Sequence, residues 1–233
     1  RRARCRARIP PRWSEPAGMA SPPIAHWYFD VVSPFAYLQW RRLRDLPELA
    51  RIEPVPILLG AVLDALGQRG PAEIPRKREF TYRLVTWQAR RDGVPLRFPP
   101  AHPFHPLAAL RLCIAAGNTP AAIDAVFDGI WARGEAGDSA EALAPVRERL
   151  GVTIDAAASG AVKDALRDNT RQALEAQVFG VPTLAIGDAL FWGNDAHDLA
   201  VAALRDPALL DDPAMRRAAS LPVGAQRPGH RGG

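Results

Sequence analysis

Residues 29–38, FDVVSPFAYL, predict a strand that runs directly into a helix. Aromatic and β-branched residues favour the strand. Ser33 followed by Pro34 is a helix-start signal, with serine at the N-cap and proline at the first helical position. Apolar residues at helical spacing continue to Leu46. A second, proline-limited strand is predicted at 51–57, and a β-α-β connection of this length indicates parallel strands.

A second motif lies about 150 residues further along the chain. Residues 179–195, FGVPTLAIGDALFWGND, predict a Val-Pro-Thr loop, a hairpin and the N-cap of a last helix at Asn194. The proline loop faces the start of the first helix in thioredoxin-like folds, so the two motifs together resemble a thioredoxin-type thiol site. Ser33 stands where a redox protein has its first cysteine. We therefore expect the thiol to come from outside, from glutathione.

The chain between these motifs is predicted to be helical. Strand signals are largely absent from 59–160, where alanine- and leucine-rich segments with apolar faces are separated by glycine and proline. The fold class is therefore α/β, a thioredoxin-like domain at 24–58 and 161–205 that carries a large all-helical insertion. Residues 1–23 are expected to form a disordered N-terminal extension, and residues 206–233 a flexible tail.

Composition and charge restrict the class of protein. The 233 residues are 48% hydrophobic and 24% charged, as in ordinary soluble proteins. No run approaches the roughly 18 to 20 apolar residues of a membrane span, so we expect no membrane partner. The net charge of +5 is concentrated in arginines near the two ends, which is more typical of tails than of a nucleic-acid site. Cys5 and Cys113 lie far apart, which favours a reducing, cytoplasmic location.

The first residues have two interpretations. The Arg-rich segment 1–18 is similar to a mitochondrial transit peptide. Met19, however, is followed by a typical initiation context just before the first strand. We expect residues 1–18 to derive from upstream sequence or from a gene start assigned too early, and exclude them from the fold.

Ser33 and the proline loop each allow a structural and a functional role. Ser33 can act as a simple N-cap, or its hydroxyl and the helix dipole can hydrogen-bond a thiolate and lower its pKa from the free value of about 8.5. The two roles are compatible. A cis Val181–Pro182 bond would leave the Val181 backbone free to pair with a peptide such as glutathione. A trans proline would only separate a helix from a strand.

Asn194 and Asp195 also have two interpretations. As the N-cap and first residue of a helix, they would complement its free amides and its dipole. Functionally, backbone amides at this helix start suit a carboxylate, and Asp195 suits an ammonium group. A γ-glutamyl end carries both charges.

Four segments together resemble the 2-hydroxychromene-2-carboxylate isomerase family, relatives of the kappa-class glutathione transferases within the DsbA-like thioredoxin superfamily. They are SPFAYL at 33–38, PILLG at 56–60, FGVPT at 179–183 and FWGND at 191–195. The resemblance implies glutathione as cofactor, with Ser33 as the catalytic residue at its thiol. It also implies that the tripeptide is held by Ser33, Val181, Pro182, Asn194 and Asp195.

The same resemblance implies a substrate site at Gln68, Lys77 and Trp87. The family's Gly-Asn-x-Pro-Pro segment is GQRGP here, so Gln68 takes the place of the asparagine. Lys77 is the best-aligned basic residue for a substrate carboxylate, although a charge run at a helix start is more often solvated. Trp87 would border an aromatic pocket, although such residues usually belong to a core. No metal site is expected at His102 and His105, because no carboxylate lies near them in the sequence.

These observations lead to one main hypothesis and its alternatives. The protein is expected to be a glutathione-dependent cis-trans isomerase of 2-hydroxychromene-2-carboxylate or a related aromatic pyruvate, in aromatic hydrocarbon catabolism. Transient thiolate addition would turn a forbidden double-bond rotation into two easier steps. The alternative is a kappa-class-like glutathione S-transferase; a disulfide oxidoreductase ranks lower because SPFA contains no cysteine. The partner is a small aromatic carboxylate, and the choice between monomer and homodimer stays open.

Overall fold

A four-stranded mixed sheet lies at the centre of the computed structural model, which describes residues 25–225. The predictions for residues 1–23 and for the end of the tail lie outside this range. The strand order is β2-β1-β3-β4, with bounds Ala25–Phe29 (β1), Ile52–Pro56 (β2), Thr183–Ile186 (β3) and Ala189–Trp192 (β4). β1 pairs in parallel with β2 and antiparallel with β3, and β3 pairs antiparallel with β4. The end of β1 and the start of β3 therefore lie at the same edge of the sheet.

Helices make up the rest of the fold, as the sequence predicts. Three of them pack with the sheet in the thioredoxin-like domain: α1 (Pro34–Leu43), α8 (Gly160–Glu175) and α9 (His197–Arg205). The insertion contains α2 (Leu59–Ala65), α3 (Pro75–Arg91), α4 (Leu107–Ala115), α5 (Pro120–Phe127), α6 (Ala144–Arg149) and α7 (Ile154–Ala158), with a π-helical turn at Asp128–Ala132. All regular elements between 59 and 160 are helical, which confirms the predicted fold class. In the described range, no helix has the length and apolar character that a membrane span requires.

Part of the segment that is expected to form the tail is helical in the structure. The expected flexible tail contains a 3-10 turn at Pro207–Asp211 and helix α10 (Pro213–Ala219). Each starts with an aspartate N-cap followed by proline, and the side chains of Asp206 and Asp212 accept hydrogen bonds from the following amides. This Asp-Pro pair is a helix-start signal, which a tail assignment based on composition overlooks.

The insertion and the sheet share one hydrophobic core. Trp27 stacks on Phe29 with ring centroids 4.5 Å apart, and Phe127 from α5 packs against Phe29 at 5.9 Å. All three side chains are fully buried. Burial of each large side chain contributes about 1.5–3 kcal/mol. The insertion is therefore packed on the sheet through core residues and does not form a separate hydrophobic unit.

A buried glutamine fastens helix α1 to the loop after β4. Gln39 accepts a hydrogen bond from the Trp27 indole at 2.7 Å and donates one to the Gly193 carbonyl at 3.0 Å. It is 1% exposed, so water does not replace these partners. Gln39 thereby fixes the position of residues 193–195 relative to the start of α1.

We expect Gln39→Leu to lower the free energy of unfolding by about 2–4 kcal/mol, because it leaves the buried Trp27 indole and the partly buried Gly193 carbonyl without a partner. Chemical denaturation measures this change. The matched control is Gln172→Leu on the exposed side of α8, which should change stability by less than about 0.5 kcal/mol. Equal effects of the two substitutions would contradict the role of Gln39.

Candidate active site

Ser33 occupies the N-cap of α1, as the sequence predicts. Its backbone is extended (φ −87°, ψ 115°), and its hydroxyl oxygen accepts a hydrogen bond from the Ala36 amide at 3.2 Å. The side chain is 7% exposed. A hydroxyl that accepts from the backbone still has its own proton to donate, and no residue in 25–225 accepts it. The capping geometry therefore leaves a donor at the positive end of the α1 dipole.

Hydrogen bonds to the side chain and the carbonyl of Asp30 stabilise the loop from Asp30 to Ser33. One carboxyl oxygen accepts from the Val32 amide at 3.0 Å and the other from the Leu59 amide at 2.9 Å. The Asp30 carbonyl accepts from the Ser33 amide at 3.0 Å. Burial raises the pKa of Asp30 to about 7, against the lowering effect of the two amide donors. Asp30 thus joins the end of β1 to the start of α2.

Two carbonyls of the same loop, those of Val31 and Val32, accept hydrogen bonds from side chains of the insertion. The indole of Trp131 donates to the Val31 carbonyl at 2.8 Å, and His102 Nε2 lies 2.8 Å from the Val32 carbonyl oxygen. The sequence assigns no role to Trp131 and indicates only a metal ligand as an alternative for His102, so it identifies neither partner. They lie 100 and 70 residues from their acceptors, so no local pattern could have revealed them.

The proline loop lies at the same edge of the sheet as Ser33. The Val181–Pro182 peptide bond is cis. Among the described residues, neither the amide nor the carbonyl of Val181 has a hydrogen-bond partner. The Pro182 carbonyl accepts from the Gly193 amide at 2.8 Å. The loop therefore presents one backbone donor and one acceptor for a peptide to pair with.

Asn194 and Asp195 follow Gly193 in a turn that precedes α9. The helix begins at His197 with Ala196 as N-cap, so the predicted capping role of Asn194 is wrong. The Asn194 side chain is 3% exposed and its Nδ2 lies 3.4 Å from Gln88 Oε1. Its Oδ1 is buried and has no partner within the described part of the chain. Asp195 is exposed.

The turn also presents unpaired backbone amides. Within 25–225, the amides of Asn194, Asp195 and Ala196 have no acceptor. Unpaired amides just before a helix favour a carboxylate, and the exposed Asp195 carboxylate favours a cation. The turn can thus bind both charges of an α-amino acid group.

Helix α3 carries Lys77 and Trp87 on different faces. Lys77 lies about three turns before Gln88 and shares its face, so it lies on the side of α3 that contacts Asn194. It is exposed and forms no ion pair with any described residue. Trp87 is 57% exposed and lies about 100° around the helix from Gln88.

Trp87 borders a separate cleft of about 430 Å³ between α3 and the loop that follows it. The other lining residues are three polar or aromatic side chains and two arginines: Tyr82, Thr86, Phe98, Arg83 and Arg90. Gln68 is exposed in the loop after α2, with its amide bound to the Leu63 carbonyl at 2.8 Å.

The structure therefore brings four of the predicted site residues to one edge of the sheet: Ser33, Val181, Pro182 and Asn194. It separates Trp87 from Lys77.

The described part of the chain supplies no reactive thiol to this site. Cys113 is fully buried in α4, and burial raises the pKa of its thiol to about 12, with a further contribution from the charge of Asp30. Because the thiolate is the nucleophilic form, Cys113 is inert at neutral pH. A thiol that reaches the Ser33 hydroxyl therefore has to come from outside residues 25–225.

Comparison with known proteins agrees with this geometry. A family model described as a DSBA-like thioredoxin domain matches residues 26–205. A 2-hydroxychromene-2-carboxylate isomerase of Pseudomonas putida is 34% identical over 181 residues, which cover 74% of this chain and 89% of that protein. A glutathione S-transferase kappa 1 of Caenorhabditis elegans is 23% identical over 213 residues, 82% of this chain and 94% of the relative.

Among solved structures, a 2-hydroxychromene-2-carboxylate isomerase superposes with a TM-score of 0.69 and 27% identity, covering 85% of this chain and 99% of that chain. The resemblance drawn from the four sequence segments is thereby confirmed. The chain belongs to the DSBA-like thioredoxin domain family and, within that group, to the 2-hydroxychromene-2-carboxylate isomerases.

Proposed function

We propose that this protein is a glutathione-dependent cis-trans isomerase of 2-hydroxychromene-2-carboxylate or a related aromatic pyruvate. The observation that carries the proposal is the Ser33 hydroxyl proton, which no described residue accepts. This donor lies at the N-terminus of α1, and the described part of the chain places no thiol beside it. The isomerase relatives support the reaction class. A cytoplasmic location, where glutathione is kept reduced, belongs to the same proposal.

The residues present fit a glutathione molecule at three points. The free amide and carbonyl of Val181, held beside Pro182, suit the cysteinyl backbone of the tripeptide. The unpaired amides around Asn194 suit the γ-glutamyl carboxylate, and the exposed Asp195 suits its ammonium group. When bound, glutathione supplies a thiolate that adds reversibly to the conjugated substrate and so permits rotation about the former double bond.

Ser33 and helix α1 favour the ionised form of that thiol. The Ser33 hydroxyl would donate a hydrogen bond to the sulfur while its oxygen still accepts from the Ala36 amide. The first turn of α1 contains no acidic residue, so the positive end of the dipole is not neutralised there. Asp30 lies nearby, but its raised pKa of about 7 leaves its carboxyl partly protonated at neutral pH. The local electrostatics therefore lower the pKa of a thiol placed at Ser33.

Lys77 is proposed to bind the substrate carboxylate. It shares the face of α3 with Gln88, whose side chain reaches Asn194, and lies about 16 Å further along that face. This separation exceeds the span of roughly 10 Å of an extended tripeptide. Gln68 and Trp87 remain proposed substrate contacts, although Trp87 lines the separate cleft on its own face of α3.

The central assay follows the fate of glutathione. We expect purified protein to convert 2-hydroxychromene-2-carboxylate to its trans ring-opened isomer with catalytic amounts of reduced glutathione, and all of the glutathione to be recovered free. Chromatography of the products with quantification of free thiol measures this. Accumulation of a stable glutathione conjugate would instead indicate a transferase.

Ser33→Ala should lower kcat roughly 100- to 1000-fold, as expected for loss of one preorganised donor. The ultraviolet absorbance of bound glutathione thiolate at pH 7 should fall with it. The matched control is Ser159→Ala, which removes the N-cap of α8, where the hydroxyl accepts from the Val162 amide. Each substitution should cost about 1 kcal/mol of stability, but only Ser33→Ala should change kcat. An unchanged kcat for Ser33→Ala would refute the proposed role.

Lys77→Ala should raise KM for the carboxylate substrate by roughly tenfold, because a charge-assisted hydrogen bond is lost. The Kd of glutathione, measured by calorimetry, should stay the same. Lys163→Ala, at an exposed position of α8, provides the control for loss of one positive charge. Similar KM values for the two variants would exclude Lys77 from the substrate site.

A further inference from the structure

A chain of hydrogen bonds leads from the surface of α3 to the peptide group before Ser33. His102 Nε2 lies 2.8 Å from the Val32 carbonyl oxygen, and His102 Nδ1 lies 2.6 Å from the Tyr82 hydroxyl. Arg78 Nε donates to the same hydroxyl at 3.0 Å. The chain therefore joins a surface cation to the Ser33 loop through two aromatic side chains.

The direction of each bond follows from the groups involved. A carbonyl oxygen only accepts, so His102 Nε2 carries the proton that it donates to Val32. Burial lowers the pKa of His102, which favours the neutral ring with Nδ1 as an acceptor. Tyr82 has one hydroxyl proton, and its contact with Nδ1 at 2.6 Å is shorter than that with the His102 carbonyl at 2.9 Å. The Tyr82 hydroxyl therefore holds the ring in the tautomer that donates to Val32.

Packing fixes the His102 ring in the same orientation. Its centroid lies 5.4 Å from that of Trp131, edge to face, and 5.3 Å from that of Tyr82. Trp131 itself donates to the neighbouring Val31 carbonyl. The ring cannot turn away from Val32 without breaking these contacts.

The Val32–Ser33 peptide group is held at both ends. Its carbonyl accepts from His102 and from no other described residue, and its amide, on Ser33, donates to the Asp30 carbonyl at 3.0 Å. The carbonyl, the amide and the Cα atom of Ser33 lie in one plane. The position of the Ser33 hydroxyl therefore depends on the orientation of this plane.

We propose that His102 is a positioning residue for the reaction: through the Val32 carbonyl it sets the direction in which the Ser33 hydroxyl points toward the bound sulfur. Tyr82 acts on Ser33 in the same way, one hydrogen bond further away. This inference rests on the proposed function of Ser33 and adds a residue of the insertion to the site. A shift of about 1 Å in a positioned group can cost up to about a hundredfold in rate.

The test compares substitutions that remove or keep the donor. His102→Leu should lower kcat roughly ten- to hundredfold and reduce the thiolate absorbance of bound glutathione at pH 7. His102→Gln should restore most of both, because its side-chain amide reaches far enough to donate to Val32. His105→Leu is the matched control; His105 is exposed, has no hydrogen bond with any described residue, and its loss should leave both signals unchanged.

A double-mutant cycle separates this inference from the proposed function. In the Ser33→Ala background, His102→Leu should cause little further loss of kcat, because the hydroxyl that it positions is already absent. Full kcat and thiolate absorbance in His102→Leu, with low kcat in Ser33→Ala, would overturn the inference alone. Full kcat in Ser33→Ala would overturn the proposed function. If His102→Leu does not fold, Tyr82→Phe takes its place in the cycle, and full activity of that variant would overturn the inference.

Discussion

The need to pair the two buried peptide groups Val31–Val32 and Val32–Ser33 governs the structure around the site. This segment leaves the sheet inside the protein, where unpaired amides and carbonyls are costly. Asp30 pairs the amides of Val32 and Ser33, while Trp131 and His102 pair the two intervening carbonyls. Two of these partners come from the insertion. The thioredoxin-like domain and the insertion therefore build the start of helix α1 together.

The sequence motifs that could be predicted are those with a local cause. Serine followed by proline indicated the start of α1, and a proline loop followed by a Gly-Asp turn indicated the β3–β4 hairpin. A β-α-β connection of suitable length indicated the parallel pairing of β1 and β2. In each case a few neighbouring residues limit the backbone conformation, so no information from distant parts of the chain is needed.

Features that depend on distant partners could not be predicted from the sequence. Nothing near residue 102 in the sequence indicates a contact with Val32, and Gln39 gives no sign that it binds Gly193, 154 residues away. The capping role assigned to Asn194 failed for a related reason. Its side chain is buried between α3 and the turn, and the hairpin and Gln39 together set where α9 begins.

The Ser33 loop is hydrogen-bonded both by Asp30 and by two residues of the insertion. This limits which positions of the insertion can change when an enzyme of this fold acquires a new substrate. New substrate preferences can arise on exposed positions of α3, such as Lys77 and Trp87, which contribute little to the hydrophobic core. His102 and Trp131 have less freedom, because a replacement without a hydrogen-bond donor removes a backbone partner at the loop that leads into α1. Substitutions that alter substrate preference are therefore expected on the outer surface of the insertion. The residues on its inner surface, which contact the sheet and the Ser33 loop, are as constrained as those of the sheet itself.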